Sequence, residues 1–141
     1  MALPRKLHLE VVTPEGLLLR EEVDEVVAPG EEGYFGVRPG HTPFLTTLGM
    51  GAVRYRVDRE WADLTCFWGF CEVLPDRVSL LAEIGERAED IDPARAEQAR
   101  TRAADRMRAI KDEAGYQDAR LAYVRAVTRL SVARGQRQRS S

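Results

Sequence analysis

The sequence predicts a β + α chain: short strands closing as a sandwich or barrel, then an antiparallel pair of helices. Three observations carry that reading. Residues 1–90 hold 9 basic and 17 acidic side chains, a balance of −8, whereas residues 91–141 hold 12 basic and 6 acidic, a balance of +6. Backbone punctuation divides at the same place, with nine of the eleven glycines and six of the seven prolines before residue 91. The apolar period also changes there, from alternation to steps of three and four.

The first part reads as strands joined by tight turns. Leu7, Leu9 and Val11 alternate with His8 and Glu10, the period-2 mark of a half-buried strand. Thr13-Pro-Glu-Gly16 is a turn signal. Pro29 to Gly49 carries Gly30, Gly33, Gly36 and Gly40 with Pro39 and Pro43. Glycine costs about 1 kcal/mol and proline about 3 kcal/mol in a helix interior, so this run is a string of turns between short strands. Val53, Tyr55 and Val57 face one way and Arg54 and Arg56 the other. Thr65–Val73 and Arg77–Ala82 suit further strands, separated by the turn Leu74-Pro-Asp-Arg77. Gly69 interrupts the former and predicts a bulge. Trp61, Phe67, Trp68 and Phe70 are assigned to the core, where large aromatics usually sit. An exposed one among them would mark a partner surface.

The second part begins at Asp92, an N-cap residue type, followed by Pro93 at the first helical position. Ala96, Ala99, Ala103, Met107, Ile110 and Ala114 then form one helical stripe, with Gly115 as its C-cap. A second stripe runs Ala119, Ala122, Ala126, Leu130 and Ala133. A short turn makes the two helices antiparallel. Alanine seams bury little area, so the hairpin is expected to be marginally stable and able to detach. Residues from Gly135 to Ser141 are expected to be an irregular charged tail.

Composition excludes several functions. No apolar run approaches the roughly 20 residues that span a bilayer, and the start lacks a signal-peptide core, so a soluble protein is expected. Cys66 and Cys71, with only His8 and His41 to join them, do not suggest a zinc site. His41 has no serine or cysteine in a nucleophile context beside it, and reads as a turn residue whose imidazole bonds backbone. No P-loop or metal cluster points to an enzyme. The basic second part could meet nucleic acid, with the Arg134, Arg137 and Arg139 tail, but Tyr116 and Tyr123 are too few for a stacking platform.

Three stretches resemble one family. They are Leu9-Glu-Val-Val-Thr-Pro-Glu-Gly, Val23-Asp-Glu-Val-Val-Ala-Pro-Gly, and Gly33-Tyr-Phe-Gly-Val-Arg-Pro-Gly-His-Thr-Pro-Phe-Leu-Thr. Together they are similar to the epsilon subunit of the bacterial F-type ATP synthase. Ile91-Asp92-Pro93-Ala94-Arg95-Ala96 looks like the Ile/Leu-Asp-x-x-Arg-Ala motif that opens the first helix in ATP-binding members, and the likeness continues through Arg129-Leu-Ser-Val-Ala.

The resemblance implies an antiparallel β-sandwich over residues 1–87 and a C-terminal antiparallel two-helix hairpin over 88–141. It implies a non-catalytic central-stalk subunit of the proton-translocating ATP synthase. The sandwich would bind the gamma subunit and the c-ring. The hairpin would reach the alpha and beta subunits and inhibit ATP hydrolysis. Partners would be these subunits, with no nucleic acid. The location would be the cytoplasmic face of the inner membrane, peripheral and held there by the complex. No cofactor is required, but ATP is implied as a regulatory ligand of Glu86, Ile91, Asp92, Arg95, Ala96, Arg102, Arg125 and Arg129. The c-ring would be met by the turn segment containing Tyr34, Arg38, His41 and Thr42, although many relatives carry a carboxylate where this chain has Tyr34. The competing reading is a free-standing nucleotide-sensing module outside any rotary complex.

Overall fold

The structure, a computed structural model, describes residues 4–140, with side chains for 4–135. These residues form two compact units that divide between Arg87 and Ala88. Seven strands build the first: β1 (Leu7–Thr13), β2 (Gly16–Val23), β3 (Glu25–Gly30), β4 (Gly33–Val37), β5 (Phe44–Val57), β6 (Glu60–Leu74) and β7 (Arg77–Arg87). Their order is β2-β1-β7-β6-β5-β3-β4, antiparallel throughout except for the β1–β7 pair, which is parallel. The sheet folds over into a sandwich, because β2 meets β5 although three strands lie between them in the order. Alternation places Leu7, Leu9 and Val11 in the core, with Val26, Val37, Val53 and Leu80, all fully buried. The predicted turns are two-residue connections: Thr13 pairs with Gly16, and Leu74 with Arg77.

A crease across the long strands turns one sheet into two layers. In β6 the core side chains are Leu64 and Cys66 before the crease and Cys71 and Val73 after it, a switch from even to odd positions. The backbone makes that switch with positive φ at Trp68 (67°) and Gly69 (138°). The expected bulge is absent: Phe67 pairs with Ile84 and Gly69 with Ala82, so the register is unchanged. A Cβ at Gly69 would lie 1.9 Å from the Leu81 carbonyl oxygen, which leaves glycine as the residue that fits. Leu48 and Val53 show the same change of parity in β5.

The second unit begins with a 3-10 turn (Ala88–Asp90), followed by α1 (Pro93–Ala109) and α2 (Glu113–Ser140). Both predicted stripes face inward. Ala96, Ala103, Ala119, Ala126, Leu130 and Ala133 are buried, and Val132 joins them, whereas Ala114 is exposed. Gly115 is not the cap of α1. That helix ends at Ile110, and Gly115 lies in the first turn of α2, where its N–H donates to the Asp112 carboxylate at 2.8 Å. Asp112, an N-cap residue type, starts a new helix before the chain reaches the glycine. The expected irregular tail instead continues as helix to Ser140; Ser141 and the side chains after Gly135 lie outside the described residues.

Candidate functional site

The glycine- and proline-rich segment of the sandwich is held from several sides. The Gly40 N–H donates to the Pro75 carbonyl at 2.7 Å, and the His41 N–H to the Arg38 carbonyl at 3.1 Å. His41 Nδ1 lies 2.6 Å from the Thr42 carbonyl oxygen, the backbone contact read from the sequence. Arg38 is exposed and pairs with Glu25 at 3.5 Å. Thr42 is exposed, and Phe44 behind it packs edge-on against Phe35 at 5.5 Å. Tyr34 is 60% exposed, yet its hydroxyl accepts a hydrogen bond from the Ala52 N–H at 3.2 Å. A charged contact at this position would have to come from a neighbour of Tyr34.

Assigning the aromatics to the core fails for three of four. Phe67 is fully buried, but Phe70 is 55% exposed and Trp68 is also exposed. Trp61 is half-buried under the Arg54 and Arg56 guanidiniums, 5.6 and 5.9 Å from its ring. The crease explains Phe70: it restores alternation with Cys71 and Val73 inward, so Phe70 must point out. There it pairs across strands with Leu81, which is equally exposed, and with Thr47, two residues from Leu45 at 71% exposed. Phe70 and Leu81 also line a groove of about 310 Å³ with Val12 and Pro14. Leu45 and Leu81 were missed from sequence. Their signal would have been the apolar residues left over once the alternation had been re-phased at Gly69.

In the helical unit Asp92 is a cap. Its Oδ1 accepts from the N–H groups of Ala94 (3.0 Å) and Arg95 (3.2 Å), and its carbonyl accepts from the Ala96 N–H at 3.0 Å. Ile91 is half-buried and donates its N–H to the Ala88 carbonyl. Ala96 is buried in the seam, so its side chain offers no ligand contact. Arg95 and Arg102 are seven residues apart, on one exposed face of α1, and Arg125 and Arg129 follow one another by a turn on α2. Arg95, Arg102 and Arg125 form no ion pair with a described carboxylate, unlike Arg100, which bonds Glu97. The Arg100 hydrogen bond holds the Glu97 carboxyl below its ordinary value, and Arg134 adds to this from 4.0 Å. Glu86 belongs to β7, and its carboxylate accepts from the Thr65 hydroxyl at 2.9 Å. No helix among the described residues is long and apolar enough to cross a membrane.

The sequence matches two family models: ATP synthase, Delta/Epsilon chain, beta-sandwich domain over residues 6–88, and the long alpha-helix domain of the same chain over residues 89–134. The ATP synthase epsilon chain of Syntrophobacter fumaroxidans is 48% identical over 128 residues, covering 91% of this chain and 96% of that protein. That of Herpetosiphon aurantiacus is 44% identical over 133 residues, covering 94% and 98%. Among solved structures, a chain of the Euglena gracilis mitochondrial ATP synthase (OSCP/F1/c-ring, rotational state 1) superposes with a TM-score of 0.78 at 20% identity, covering 91% of this chain and 81% of that one. A chain of the Tetrahymena thermophila central stalk/c-ring structure gives 0.63 at 14% identity, covering 94% and 99%. At these identities the two structures establish a shared fold.

Proposed function

This chain belongs to the ATP synthase Delta/Epsilon chain family, and from that premise we propose that it is a non-catalytic central-stalk subunit whose sandwich joins the gamma subunit to the c-ring. The observation that carries the reading is the exposed row Leu45–Phe70–Leu81 across three strands, with its groove at Pro14. Such a row on a sheet face suits a permanent partner. We assign it to gamma, and the turn with Arg38, His41 and Thr42 to the ring. The complex then holds the subunit at the cytoplasmic face of the membrane.

The hairpin is the regulatory element: its net positive charge suits acidic surfaces of the alpha and beta subunits, and docking there inhibits ATP hydrolysis. ATP is its ligand, held through Arg95, Arg102, Arg125 and Arg129, since guanidinium groups take phosphate oxygens in pairs. In this reading Asp92 contributes by capping the helix that carries Arg95, because its Oδ1 is already engaged with two backbone donors.

Reconstitution tests both halves. The wild-type chain should co-purify with gamma and lower hydrolysis by the catalytic head. Phe70→Glu/Leu81→Glu should lose gamma and inhibition together. Arg95→Ala/Arg102→Ala should keep gamma but lose calorimetric binding of ATP. A chain that binds ATP and never gamma would favour the free-standing sensor.

A further inference from the structure

The β3–β5 ladder is broken in the middle. Val27 pairs with Arg54 and Gly30 with Leu48, a shift of register that leaves Ala28 and Pro29 without partners on β5. Pro29 lies in the break and has no N–H to give. Two side chains bridge it. The Thr47 hydroxyl donates to the Glu31 carboxylate at 2.6 Å, beside a bond from the Glu31 N–H to the Thr47 carbonyl at 3.2 Å. The Tyr34 hydroxyl accepts the Ala52 N–H at 3.2 Å. Tyr34 gets there by crossing Gly51: a Cβ at residue 51 would stand 2.3 Å from that hydroxyl and 3.0 Å from Pro29 Cβ.

We propose that Tyr34 is a positioning residue that latches the β3–β4 hairpin tip onto β5, with Gly51 as the slot that admits its phenol, and that it thereby sets the ring-facing turn. The inference rests on the ring-facing reading of that turn, but the latch itself belongs to the free chain. It gives Tyr34 a role that a carboxylate could not fill. A glutamate at residue 34 is shorter than the phenol, so the Ala52 N–H would lose its acceptor. The Tyr34 ring therefore orients the loop, and direct contact with the ring of subunits passes to the exposed Arg38 and Thr42 side chains.

A double-mutant cycle on the full chain tests the latch, read by residue-resolved amide exchange. Tyr34→Phe keeps the ring and removes only the acceptor. Losing one hydrogen bond should speed exchange at Ala52 roughly 3- to 10-fold while Leu9 and Leu80 amides stay protected. Gly51→Ala keeps the hydroxyl but closes the slot and also crowds Pro29 Cβ at 3.0 Å, and should speed exchange at Ala52 at least as much. The double variant should exchange no faster than Gly51→Ala alone, since the hydroxyl contact is already lost there. Unchanged exchange at Ala52 in Tyr34→Phe, or additive effects in the double variant, would overturn the proposal. Cross-linking from a His41→Cys variant in the assembled complex separates the two readings. A latch confirmed by exchange with no cross-link to the c-ring sinks only the ring assignment.

Discussion

In the sandwich the fully buried side chains are mostly leucine and valine, Leu7, Leu9, Val23, Val37 and Leu80 among them. In the helical unit the buried side chains are mostly alanines, with Leu130 and Val132 as the larger exceptions. A buried leucine contributes roughly 1.5–3 kcal/mol, whereas an alanine methyl removes only a small fraction of that area from water. The two regions also treat backbone differently. Strand backbone in the sandwich is fixed by partners far along the chain, so one displaced residue disturbs several strands. Each helix supplies its own hydrogen bonds and tolerates local change. The helical unit is therefore expected to open at lower cost than the sandwich.

The same substitution in both regions should expose that difference most sharply. Gly69→Ala drives a Cβ into the Leu81 carbonyl at a φ of 138°, and should cost about 4 kcal/mol or prevent folding. Gly115→Ala meets side-chain atoms rather than backbone, Ile110 Cγ2 at 2.7 Å and the Asp112 carboxylate at 3.0 Å, and the gain of about 1 kcal/mol in helix propensity offsets that crowding. Its unfolding free energy should stay within about 1 kcal/mol of wild type. Denaturant melts can be followed by thiol labelling for the sandwich and by far-ultraviolet circular dichroism for the helices. Burial pushes Cys66 and Cys71 up to about 12, so both should react only when the sandwich opens. Equal losses for the two variants would erase the comparison.

A smaller effect should stay inside the hairpin. Asp92→Ala removes the acceptor for two N–H groups of α1 and should cost about 1 kcal/mol. Exchange at Ala94, Arg95 and Ala96 should quicken while the sandwich amides do not change. Transmission of the effect to β1 or β7 would mean that the two units unfold together.

Acid should separate the units by the least. The Lys6 hydrogen bond, then the Asp58 N–H, holds the Asp24 carboxyl below its ordinary 3.8. Arg100 does the same for Glu97 below 4.5. Both folded values are depressed. Each contribution is therefore complete above the ordinary value and disappears as pH falls through the folded one. Loosening should begin near pH 4.5 in the helices and near 3.8 in the strands. Asp24→Asn and Glu97→Gln should each abolish its own step in a pH series of amide exchange. A step that survives its substitution belongs to another carboxylate.

Much of this architecture was legible in the residues. Alternation at Leu7–Val11 and Val53–Val57, the turns at Pro14 and Pro75, and the start of α1 at Asp92-Pro93 are local, and local chemistry decides them. The outward face of Phe70 was not legible. Period-2 reasoning carries a strand's facing forward from its start, and a positive-φ pair at Trp68–Gly69 resets it midway. Gly115 misled because glycine is commonest just past a helix end, and Asp112, three residues earlier, was the deciding neighbour. The parallel β1–β7 pair joins the two ends of the sandwich sequence, a placement no short window contains. For the site, the arginines and the turn could be named from sequence, but Asp92 as a cap and Tyr34 over Gly51 needed distances.

The crease has a mechanical consequence as well. Two separate sheets would have four open edges and only side-chain packing between them. This sheet, folded along one line, has two, β2 and β4, and β5 and β6 run through the fold as unbroken covalent chain. A shearing load on one layer thus passes to the other through peptide bonds as well as through side-chain packing. Gly69, at the bend of β6, fixes the angle at which that strand passes from one layer to the other.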